Sequence, residues 1–227
     1  MKKDLYFIIL ILALFVPFVV SKELYNAYTS FNHEHGLIMA FVKFSVLATF
    51  GEMIGLRIKT GNYYTPTFGL WSRMLVWGLL GITIKIAFVI FAKGTPIFME
   101  YLGFEGASEA MRSTFTMTKL LTAAAISIAM NLIYAPVMMT LHRITDFHIE
   151  ETQGRFLHFF QNWNFTKYFN RINWDVQWNF VFKKTIPFFW IPAHTLTFLM
   201  PPDFQVLFAA LLGIILGIIL AVASKMN

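Results

Sequence analysis

Long apolar runs alternate with short polar stretches along most of the chain: Leu5–Val20, Gly36–Leu56, Leu70–Ala92, Leu120–Thr140, Thr185–Met200 and Phe204–Ser224. Crossing ~30 Å of hydrocarbon takes about 20 mostly apolar residues, or somewhat fewer where the flanks snorkel. None of the runs alternates with a period of two, and lipid leaves no partner for an unpaired backbone group. The pattern predicts an all-α, polytopic membrane helix bundle of about six transmembrane helices, forming one domain over 1–227. The first run, with Lys2 and Lys3 ahead of it and Val20-Ser21 behind, also fits a signal peptide; the weak cleavage context argues for a retained helix.

Composition agrees with this picture. The chain is 57% hydrophobic and 13% charged, against roughly a quarter charged in an average soluble domain. It has no cysteine, which excludes disulfides, iron–sulfur centres and thiolate metal sites.

The net charge of +6 is best explained by topology. With six spans, one side collects Lys2, Lys3, Arg57, Lys59, Arg73, Arg143, Arg155, Lys167, Arg171, Lys183, Lys184 and Lys225. The other side collects only Lys22, Lys93, Arg112 and Lys119. The positive-inside rule then puts both termini on the cytoplasmic side, and no nucleic-acid surface is expected.

The largest stretch between spans, 142–184, carries Phe156, Phe159, Phe160 and Trp163 at helical spacing among Arg155, Lys167 and Arg171. Basic and aromatic, and too polar to cross, it is expected to form an amphipathic interfacial helix in the headgroup plane. Gly51/Gly55 and Gly213/Gly217 are small-xxx-small pairs suited to close helix packing.

Ionisable groups inside spans are expensive and tend to face a cavity or a partner. Those here are Lys43, Glu52, Lys85 and His194, with Asn131 as a neutral companion. At 1.5 Å per residue, Lys43, Lys85 and His194 each lie roughly 12 Å inward from the outer edge of their own span. Asn131 falls near the midplane and Glu52 in the inner half. One reading is a polar interior lined by Lys43, Glu52, Lys85, Asn131, His194 and Thr197, its basic outer ring favouring anions or neutral solutes. The other is that the lysines snorkel outward while Glu52 reaches Arg57 or Lys59.

The fifth run is the least regular. Pro187 and Pro192 each remove an i−4 hydrogen bond, freeing the carbonyls of Lys183 and Phe188 and predicting bends. Trp190, His194, Thr197 and Pro201 fall on one helical stripe.

These residues carry a resemblance. "YAP", Tyr134 to Pro136, lies just after Asn131 and is followed some fifty residues later by Trp190, Phe198 and Pro202; "GEMI" spans Gly51 to Ile54 and includes Glu52. The order and spacing of these blocks over roughly 36–225 are similar to the signature of the family of the twenty-two-kilodalton peroxisomal membrane protein and its mitochondrial inner-membrane relatives. The chain differs in having Ile191 after Trp190, with Pro192 one place late, and in its extra first span. The resemblance implies a distant, bacterial member with a small pore-forming or solute-permeating role, located in the cytoplasmic membrane.

Function is therefore expected to be that of a channel or weakly selective pore for small anionic or neutral solutes, with a structural or assembly role as the alternative. A coupled transporter is less favoured, because Glu52 is the one carboxylate recognised within a span. No HExxH, GxSxG or aspartate pair appears, so no enzyme is expected. His33-Glu34-His35 alone does not make a metal site, and no metal or cofactor is expected. The expected partners are the lipid bilayer and small solutes, and self-association into a homo-oligomer is compatible with the pattern.

Overall fold

A computed structural model describes residues 2–226. Among these all regular secondary structure is helical, with no strand. The eleven α-helices are α1 (Lys2–Val20), α2 (Lys22–Glu34), α3 (Gly36–Thr60), α4 (Leu70–Tyr101), α5 (Ala107–Ala110), α6 (Met117–Ile133), α7 (Ala135–Glu151), α8 (Phe165–Arg171), α9 (Trp174–Val176), α10 (Ile191–Leu199) and α11 (Pro202–Met226). A π-helix, Gln177–Trp190, runs into α10. Four helices are long and apolar enough to cross a membrane, and a fifth crossing arises if α6 and α7, bent by 44°, count as one. This is the build of a multi-pass membrane protein.

Local chemistry sets the helix ends. The Ser21 hydroxyl accepts from the Leu24 amide (3.2 Å), and the Thr116 hydroxyl accepts from the Lys119 amide (3.1 Å), each satisfying a donor that the first turn leaves orphaned. The fourth apolar run, 120–140, breaks at Tyr134. Pro136 opens α7 at a position where its missing N–H costs nothing.

The run 185–200 does not form one continuous α-helix. Pro187 lies within the π-helix and Pro192 in the first turn of α10. Pro192 follows directly on the passage from the π-helix into α10, where the backbone stays helical. The nine residues of α10 span only about 14 Å.

The expected interfacial helix over 142–184 is also corrected. Helix α7 extends through Glu151, followed by a 3₁₀ turn at Phe156–Phe160 and the short α8. The aromatics gather around His148, which is 1% exposed. Its Nδ1 lies 2.9 Å from the Tyr168 hydroxyl and its Nε2 2.8 Å from the Phe159 carbonyl, and its ring stacks on Trp163 at 3.9 Å. A buried polar group needs partners, so the chain folds back over His148 instead of lying flat as one helix.

The core joins α3, α4, α6, α10 and α11 around Phe44, Leu47, Ile84, Phe88, Ile126 and Phe198. Helix α3 packs between α4 and α11, and α10 packs on α6. At Gly81 the α3 and α4 backbones approach so closely that a Cβ would lie 2.7 Å from the Ala40 carbonyl oxygen. Gly51 makes a similar approach to Ile214 of α11.

Helix α1 stands apart: only 6% of its apolar window is buried. Its start is tied to the end of α3, where Arg57 donates to Asp4 (2.8 and 2.9 Å) and Phe7 stacks on Tyr63 at 4.2 Å.

Candidate functional site

Two pairs of residues four apart on their helices meet Glu52 of α3. Arg73 and Trp77 share one face of α4, and His142 and Asp146 share one face of α7. Arg73 Nη1 donates to both Glu52 and Asp146, the latter at 2.8 Å, and its Nε donates to the Phe68 carbonyl at 2.8 Å. Trp77 Nε1 donates to Glu52 Oε1 at 2.7 Å. His142 spans the same two carboxylates, with Nε2 3.2 Å from Glu52 and Nδ1 3.8 Å from Asp146. The side chains of Arg73, Glu52 and Asp146 are 15%, 19% and 14% exposed.

A glycine contact holds this arrangement in register. Gly69 (φ +70°), just before α4, meets Gly154 (φ +72°), just after α7, and a Cβ on Gly154 would lie 2.6 Å from the Gly69 nitrogen. Only glycine combines that backbone conformation with that approach. The start of α4, carrying Arg73, is thereby pinned beside the end of α7, carrying Asp146.

One oxygen or nitrogen from each of Glu52, His142 and Asp146 lies within 4.8 Å of the others, which is close enough for three ligands of a cation. The cation already there is the Arg73 guanidinium, which bonds both carboxylates.

The cluster forms part of the wall of a cavity of about 690 Å³, a volume typical of small-molecule sites. At one end the cavity reaches the exposed Lys59 and Glu150; at the other it reaches Phe88, Asn131, Trp190 and His194. Arg73 and Phe88 lie fifteen positions apart on α4, so the vestibule extends about 22 Å along that helix. Between its ends the walls are mostly apolar, including Phe44, Ile84, Met138 and Leu216.

The deep end is polar without being charged. Asn131 Nδ2 donates to the Ser127 carbonyl at 2.9 Å and lies 3.0 Å from His194 Nδ1. The carbonyl fixes the amide's orientation, since the opposite flip would set oxygen against oxygen. His194 Nδ1 lies 3.3 Å from the Asn131 amide oxygen as well, so the amide meets that nitrogen with both of its polar atoms in reach. Ser127 donates in turn to the Ile191 carbonyl (2.7 Å). His194 stacks on Trp190 at 5.1 Å. Trp190 Nε1 and Gln177 Nε2 are buried without a hydrogen-bond partner among the described residues, an arrangement that costs about 1–3 kcal/mol per group.

Of the residues singled out from the sequence, Glu52, Asn131 and His194 line the vestibule. Lys43 bonds to Asn32 of α2 and sits 5.3 Å from the Tyr28 ring. Lys85 lies beside Gly36 at the start of α3. Thr197 donates to the Ala193 carbonyl at 2.9 Å. These three are not part of the vestibule wall. Glu52 pairs with Arg73, whereas Arg57 turns to Asp4. Among the motif residues, Gly51 faces α11, Pro136 opens α7, Trp190 lies beside His194, Phe198 is in the core and Pro202 begins α11. Arg73, Trp77, His142 and Asp146 were not singled out as site residues; their signal was the repeated four-residue spacing.

No protein-family model matches the chain, and neither a curated protein nor a solved structure does.

Proposed function

We propose that this chain is a small membrane pore that admits small anionic or neutral polar solutes. The observation behind the reading is the vestibule, about 690 Å³ in volume, with a charged cluster near one end and the Asn131–His194 pair at the other. Phe88, at the deep end, is in ring contact with Phe198 at 5.0 Å, and on this reading passage requires that pair to move.

The reading places the bundle in a bacterial cytoplasmic membrane with six crossings and both termini inside, the segment 177–199 serving as the fifth. The motifs around Gly51, Pro136, Trp190 and Pro202 support distant membership of the twenty-two-kilodalton peroxisomal membrane protein family.

Gly213 provides the test. It lines the vestibule, and a Cβ added there meets nothing within 4 Å. Gly213→Phe therefore fills the space without a clash at the backbone. Proteoliposomes should release a small anion such as methanesulfonate faster than protein-free vesicles, and Gly213→Phe should abolish the difference. Release equal to that of empty vesicles, or unchanged in Gly213→Phe, would overturn the reading.

A further inference from the structure

The vestibule wall carries Lys59, Arg73 and Arg143 against Glu52, Asp146 and Glu150, but the three charges in closest contact do not balance. Glu52 and Asp146 contribute two negative charges and Arg73 one positive charge, and all three are held in direct contact. The fourth member, His142, touches both carboxylates and is 22% exposed. With a neutral imidazole the cluster carries one net negative charge; with a protonated one it carries none.

Arg73 also keeps a donor in reserve. Its Nε and Nη1 are engaged by Phe68, Glu52 and Asp146, while Nη2 donates to nothing among the described residues. The N–H bonds of a guanidinium nitrogen beside a cavity suit an oxygen of a carboxylate, sulfonate or phosphate. An anion arriving there meets the extra carboxylate charge at a few ångströms, where repulsion is strong because little water screens it.

We propose that Arg73 Nη2 is the docking point for a small oxyanion and that the anion enters the vestibule together with one proton, held on His142. The proposal rests on the pore reading for its physiological direction. Glu52 from α3, Arg73 and Trp77 from α4 and Asp146 on its own helix face His142, and Lys59, Glu150 and Gln177 line the same cavity. Arg143 reaches Asp146 at 3.8 Å but is 47% exposed at the rim, where solvent and salt screen it. The coupling is reciprocal: the proton favours the anion, and the anion favours the proton by the same factor.

Methanesulfonate is a suitable probe because its own charge does not change between pH 5 and 8. Its affinity for the full chain in nanodiscs, measured by calorimetry in two buffers of different ionisation heat, should show proton uptake on binding. Affinity should fall by up to tenfold per pH unit as His142 loses its proton, the slope of one linked proton. His142→Gln, which keeps a polar side chain but cannot hold the charge, should bind weakly with a flat pH profile. Asp146→Asn removes the surplus negative charge and should bind tightly with a flat profile, a gain that a merely structural role would not produce. Binding without proton uptake, or wild-type pH profiles in both variants, would overturn the proposal. Proton-linked binding without vesicle flux sinks the pore reading and supports this one; flux with no pH dependence in the wild type does the reverse.

Discussion

Replacing Arg73 with Met tests whether the cluster holds the bundle together. The change removes the hydrogen bonds to Glu52, Asp146 and the Phe68 carbonyl while keeping most of the side-chain volume. Leaving a buried carboxylate without its cation typically costs 3–5 kcal/mol. Here the carboxylates are 19% and 14% exposed, and both retain His142. Glu52 also keeps the Trp77 indole. We therefore expect a loss of about 2–4 kcal/mol, which for a chain of this size lowers Tm by roughly 5–15 °C. The triple variant Arg73→Met, Glu52→Gln, Asp146→Asn leaves no unpaired charge and should recover at least half of that loss, as replaced buried ion pairs commonly do. Thermal unfolding in one fixed detergent, followed by tryptophan fluorescence, reads both. A triple variant less stable than Arg73→Met, or an Arg73→Met variant within 0.5 kcal/mol of wild type, would refute the assignment of unpaired charge as the cause.

Four further substitutions, one of them a control, probe the supports of the site. Gly81→Val places carbon within 2.7 Å of the Ala40 carbonyl, which no rotamer relieves, and should cost about 2–4 kcal/mol in the same melt; Gly94→Ala, where nothing lies within 4 Å, should be neutral or gain up to ~1 kcal/mol. Gly154→Ala combines a left-handed backbone with a 2.6 Å approach to Gly69 and should cost about 1–3 kcal/mol from the backbone strain alone, seen as faster proteolysis at 152–160. His148→Leu strands the Tyr168 hydroxyl and should loosen 152–171 by about 1–3 kcal/mol; hydrogen exchange should rise there and stay unchanged in α3 and α4.

Helices α1, α3, α4 and α11 could be read from the sequence because each is a single continuous apolar run, and lipid requires such a run to satisfy its own backbone. Where the chain breaks its helices, the pattern was less informative. Pro187 and Pro192 read as interior bends because each removes an i−4 hydrogen bond within an apolar run. In the structure Pro187 lies within the π-helix and Pro192 just after it passes into α10, so the irregularity takes the form of a change of helix type. The stretch after Thr140 read as one interfacial helix because its aromatics and basic residues alternate at helical spacing. Its helical order comes from tertiary partners: Asp146 pairs with Arg73, 73 positions away, and His148 bonds to Tyr168, 20 positions away. No local propensity carries that information.

The placement of polarity in the vestibule follows from the energetics of burial. Close to the end marked by the exposed Lys59 and Glu150, full charges are tolerable because residual exposure softens the desolvation cost. At the deep end, about 22 Å along α4, polarity is carried by neutral groups joined in a chain from the Ile191 carbonyl through Ser127 and Asn131 to His194. Lys43, equally deep by its position in the sequence, turns away from the cavity to Asn32, so its charge meets a polar partner on α2 instead of the apolar wall. Counting depth along each helix therefore located three basic residues at one level without saying which of them share a space. Helix rotation decides that, and here rotation is set by close contacts such as those at Gly51 and Gly81, where the absence of a Cβ fixes which faces of α3, α4 and α11 meet.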